Sequence, residues 1–161
     1  MGDRQIAAGR VTVETFGLHP RCHRLLAGEA VLGEMAFGIG SSVVYTDAGG
    51  RRLRMARVSP WKAEYHLREG EQERATSCRR PLRGAIEVAF ADATYFLRPA
   101  DTRGSAWSLS GPIGGTLLTV QRAGLGRAEI EVYSAVEGDL LAFVYYLVVL
   151  RWSAARRSRI G

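Results

Sequence analysis

Lysine is almost missing from this chain: Lys62 stands alone among 22 lysines and arginines, and every other basic residue is arginine. The formal charge is +6. An arginine excess suits phosphate, because the guanidinium fork matches phosphate oxygens in pairs. A GC-rich coding bias gives the same Ala-, Gly- and Arg-rich composition, so only clustered arginines are weighed as phosphate sites. Cysteine is scarce too. Cys22 and Cys78 are too few for a disulfide framework in a domain of this size, and both are expected to be reduced. The opening "MGDRQIAAGR" lacks the apolar core of a secretory signal, and it matches a myristoylation site only as far as Ile6, where Ser or Thr is required. A cytoplasmic location is the expectation.

Catalytic signatures are also missing. No G-x-S-x-G, H-E-x-x-H or paired His and Cys nucleophile setting occurs. "FGIGSS" at 37 to 42 spaces two glycines like the start of a dinucleotide loop, but the third glycine and the following helix are lacking, which leaves a tight turn. "HPRCH" gathers His19, Cys22 and His23, which with His66 or Cys78 could complete a tetrahedral zinc site. No second close pair supports it, so neither a metal nor a cofactor is expected, and the chain is read as non-enzymatic.

What is present is alternation. With 47% apolar and 24% charged residues, 161 residues suit one domain that buries roughly two thirds of its unfolded surface. From about residue 10 to 134 the apolar positions recur every second residue. "KAEYHLR" sends Ala63, Tyr65 and Leu67 to one face, and "GAIEVAFA" does so with Ile86, Val88 and Phe90. Trp107 goes with Leu109, and Ile130 with Val132. Short glycine-rich connectors separate these runs: "DAGG", "REGEQ", "PADTRG", "GPIGG" and "AGLG". They suit hairpins, so about eleven or twelve consecutive antiparallel strands are expected. A faint echo of "AEYHLR" (63 to 68) in "ATYFLR" (93 to 98) fits recurring strand chemistry.

The alternation stops near Ala135. From Leu140 to Leu150 the chain is unbroken apolar, with Glu137 and Asp139 before it and Arg151, Arg156, Arg157 and Arg159 after, charges that suit one helix over about 138 to 157. Eleven residues of helix rise only about 16 Å, roughly half of a hydrocarbon core. Extending the run puts Arg151 in lipid, and the basic tail would stay inside, placing the larger part of the chain outside. The helix is therefore expected within protein. A sheet of a dozen strands escapes exposed edges by closing into a barrel, whose lumen an apolar helix can plug. The expected fold is mainly β: a closed antiparallel barrel of about 12 strands around a hydrophobic C-terminal helix, one domain over 1 to 161.

This plan, carried by "AWSLSGPIGGTLLTVQR" and "AEIEVYSAVEGDLLAFVYYLVVLRW", resembles the tubby C-terminal-like superfamily, in particular its LURP-one-related and phospholipid scramblase-like members. The resemblance implies a helix threaded through the barrel and binding of anionic phospholipid headgroups by basic surface residues. Acidic calcium-loop spacing and a cysteine cluster for acylation are both lacking, so calcium-dependent scrambling is not implied. The arginines matched to the headgroup role are Arg52 and Arg54 in "RRLRMAR" and Arg79, Arg80 and Arg83 in "CRRPLR". A solvated strand face whose arginines discourage edge pairing is the plainer account of them. Nucleic acid is not expected as a partner, because aromatic residues do not interleave with the basic ones. The expectation is a peripheral protein at the inner face of a membrane. Its rivals are an inserted C-terminal helix, or a ligand site at the barrel mouth using His19, His23 and His66.

Overall fold

Twelve strands follow one another, each pairing with the next. They are β2 (Gly9–Phe16), β3 (Arg21–Ala27), β4 (Ala30–Phe37), β5 (Val43–Asp47), β6 (Arg52–Ser59), β7 (Lys62–Glu69), β8 (Gln72–Arg79), β9 (Ile86–Phe90), β10 (Ala93–Pro99), β11 (Ala106–Ser110), β12 (Thr116–Arg122) and β13 (Arg127–Val132). The computed structural model describes residues 4–18, 20–80 and 84–160. The last strand returns to the first, pairing Ile130 with Val11 and Ala128 with Val13. The sheet is thus a closed, purely antiparallel up-and-down barrel without an edge. Two short strands, β1 (Gln5–Ile6) and β14 (Val136–Glu137), pair separately beside the entry of the helix.

The period-two pattern sets the inner wall. Val11 and Val13, Leu53 and Met55, Ile86 and Val88, Leu118 and Val120, and Ile130 and Val132 all point inward and are buried. Ala63 departs from its expected place: it is exposed. Tyr65, two residues along β7, already meets Tyr146 near the end of the enclosed helix segment, so Ala63 lies where the interior opens to solvent. Gly33 answers a close approach, because a Cβ there would collide with the Tyr45 ring, which hydrogen-bonds the Leu32 carbonyl at 3.3 Å.

The one helix among the described residues, α1 (Gly138–Ser158), runs through this barrel. Every residue from Asp139 to Val148 is buried, so no side of the helix faces water over almost three turns. Its contacts come from all around the ring: His23 on β3, Tyr65 on β7, Arg74 on β8 and Arg122 on β12. Only a position inside the ring allows that. The helix matches the expected span and ends one residue later.

Polar groups fix both ends of the plug. At the start, the Asp139 carboxylate is buried against the guanidinium of Arg51, with Arg74 at 3.5 Å. A register shift after Leu67 pairs Arg68 with Glu73, leaving Arg74 as the extra residue of a bulge that aims it at the helix. Further along, the Tyr146 hydroxyl donates to the Ser41 carbonyl at 2.6 Å and the Trp152 indole N–H to the Gly104 carbonyl at 3.0 Å. Phe143, fully buried and stacked on Tyr146 with centroids 6.1 Å apart, sits between these anchors. Phe143→Ala is expected to cost about 3–5 kcal/mol in urea denaturation followed by circular dichroism. A loss below about 1 kcal/mol would show that the barrel does not depend on its plug.

Candidate functional site at the helix-exit rim

In an up-and-down barrel alternate connections share an end. Those after β2, β4, β6, β8, β10 and β12 lie together, and the Tyr146 and Trp152 bonds to Ser41 and Gly104 put the C-terminal end of the helix among them. This is the exit rim. Asp139, Arg51 and Arg74 mark the opposite, entry end.

The exit rim crowds positive charge. Arg151 is partly buried; burial first, and then the exposed Arg79 guanidinium, hold its pKa below the ordinary arginine value, against a smaller opposing effect of Tyr65. Arg122 lies over the Trp152 ring, 4.8 Å from its centroid, and is shifted the same way by burial and then by Arg156 and Arg159. Arg156 and Arg157 occupy the last helical turn, where the carbonyl end of the helix favours cations. Among the described residues no carboxylate forms an ion pair with Arg79, Arg122, Arg151, Arg156, Arg157 or Arg159. Uncompensated arginines held close together form an anion-attracting surface.

The arginines expected from sequence do not form one patch. Arg52 and Arg54 point outward on β6, as expected, but toward the entry end. Arg54 pairs with Arg68, and Arg68 with Glu73; Arg79 lies six residues farther along β8, about 20 Å away at the rise of a strand. Arg80 is at the exit rim but chelated by Glu87, with contacts of 2.5 and 2.9 Å that raise its pKa. Arg83 lies outside the described residues. The helix arginines and Arg122 were the part that sequence reasoning missed as a site. Their signal was available, since hairpin alternation and helix length together decide which loops the helix reaches.

The candidate metal cluster does not assemble. His19 lies outside the described residues. Cys22 and His23, adjacent on β3, point to opposite faces. His66 and Cys78 are on the outer face of β7 and β8, four and five strands from β3. Among the described residues no group of three His, Cys, Asp or Glu side chains could hold a metal ion. A cavity of about 490 Å³ at the entry end is lined by Arg4, Ile6, Leu32, Tyr45, Arg51 and Asp139, so neither His23 nor His66 reaches it.

No family model matches this chain, and no curated protein or solved structure matches it either.

His23 belongs to the core. Its Nδ1 lies 2.6 Å from the Tyr145 hydroxyl and its ring packs 4.5 Å from Phe37. Burial, and secondarily Arg21, lower its pKa to about 4, while burial raises that of Tyr145. The folded state thus keeps His23 neutral where an unfolded chain would take up a proton. Stability from this group is complete above about pH 6.5 and falls by up to about 3 kcal/mol as the pH drops toward 4. An NMR titration of the imidazole should give a midpoint near 4. A midpoint near the ordinary value would place the ring in water.

Proposed function

We propose that this chain is a non-enzymatic barrel of the tubby-like kind that binds anionic phospholipid headgroups at the cytoplasmic face of a membrane, using its helix-exit rim. The observation that carries this reading is the set of arginines there with which, among the described residues, no carboxylate forms an ion pair. Arginine suits the task, because its planar fork takes two phosphate oxygens at once and keeps its charge even when partly buried. Each basic residue near an anionic leaflet contributes about 1 kcal/mol at ordinary salt. A closed barrel threaded by its own C-terminal helix is also the plan that the tubby-like resemblance implies. Insertion of the helix itself has less support: it is long and apolar enough to cross a bilayer, but its central residues already line the core.

Sedimentation with phosphatidylcholine vesicles, with and without phosphatidylserine, tests the proposal. Binding should require the anionic lipid and weaken as salt rises. Replacing Arg79, Arg156, Arg157 and Arg159 together by Gln, all exposed positions, should lower affinity by at least about tenfold. Arg52→Gln with Arg54→Gln should change it less than about twofold. Equal binding to neutral vesicles, or none to anionic ones, would overturn the assignment.

A further inference from the structure

The two ends of the barrel differ in more than charge. Four consecutive connections around the exit rim each carry a large apolar side chain in water: Leu125 between β12 and β13, Leu18 between β2 and β3, Ile39 between β4 and β5, and Trp61 between β6 and β7. Trp61 is 90% exposed. At the entry end the corresponding turns carry Gly28 and Glu29, Gly70 and Glu71, and Ala91 and Asp92, with Ile113 and Tyr133 as the large exposed apolar residues among the described connections there. Three of the four exit tips have an exposed basic residue close by in the chain: Arg21 near Leu18, Lys62 next to Trp61, and Arg127 near Leu125.

We infer that these four loop tips enter the lipid when the rim docks, so that the barrel stands on the membrane by its exit end with the acidic turns facing away. The inference rests on the headgroup reading and adds a second, apolar component to it. Separate tips spread along a rim do not make the contiguous face that a folded protein partner needs. A fluid planar surface takes each one independently. The neighbouring cations complement anionic headgroups at the depth where the tips would leave water, and a tryptophan is at home at that boundary, its ring in the apolar layer and its N–H in the polar one.

Tryptophan fluorescence reads this directly. Trp107 and Trp152 are only 5% and 9% exposed, so Trp61 is the reporter that lipid can reach. With anionic vesicles whose acyl chains are brominated, its emission should shift to the blue and be quenched, and Trp61→Phe should abolish both changes. Trp61→Ala should weaken affinity by about tenfold, and Ser at all four tips should remove the binding that survives high salt. Salt-sensitive binding with Trp61 unquenched would overturn insertion while leaving the headgroup reading standing. Quenching of undiminished size in Trp61→Phe would also overturn it, because Trp152 at the rim would then account for the whole signal. No binding to anionic vesicles would remove both.

Discussion

A helix that is apolar on every side has no face to offer water, and almost everything else in this structure follows from that. From Leu140 to Val148 each turn needs an apolar wall in each direction. A flat sheet or a pair of helices covers one side. A closed ring of strands covers all of them, and twelve strands give a ring with room for a helix. The dependence is mutual, because a ring this wide has a lumen that its own side chains do not fill. The plug and the wall are each unstable alone for the same reason.

Enclosure by apolar packing alone leaves the helix free to slide along the barrel axis. The polar contacts are at the places that prevent it. Asp139 holds the first turn to Arg51 and Arg74, and the hydroxyl of Tyr146 and the indole of Trp152 bond loop carbonyls at the far rim. A buried carboxylate loses much hydration free energy and is tolerated only when paired. Its pairing partner at the entry end therefore also sets how much of the helix emerges at the exit. With Asp139 fixed, Trp152 is the last buried residue and Arg156, Arg157 and Arg159 stand clear of the barrel. The electrostatic character of one end is thus fixed by a contact at the other.

The strands were legible because one dry face imposes alternation, and a meander of short hairpins leaves little choice of neighbour. The helix was legible for the opposite reason, since its uninterrupted apolar run fits no solvated strand and leaves no helix face for water. Ala63 shows the limit of alternation: phase says which way a side chain points, but not whether anything is there to cover it. The arginines show another. Arg52 and Arg79 lie in neighbouring basic runs of similar appearance, yet they are separated by most of the length of a strand. Only the direction of each strand, counted from hairpin to hairpin, assigns them to different ends. His23 looked like part of a ligand cluster because sequence proximity to Cys22 hides the fact that adjacent strand residues face opposite ways.

The same dependence decides between a plug and an anchor. Drawing Leu140 to Val148 out of the ring would expose their large side chains and the facing wall of Leu25, Met35, Leu67, Leu97 and Leu109 together. At about 1.5–3 kcal/mol for each large apolar side chain, the helix side alone amounts to on the order of 15 kcal/mol, comparable to the whole net stability of a typical domain. Lipid could receive the helix, but it could not at the same time fill the emptied barrel. A membrane contact that preserves the fold must therefore use what already projects from it, and at the exit rim that is the arginine tail and the four apolar tips.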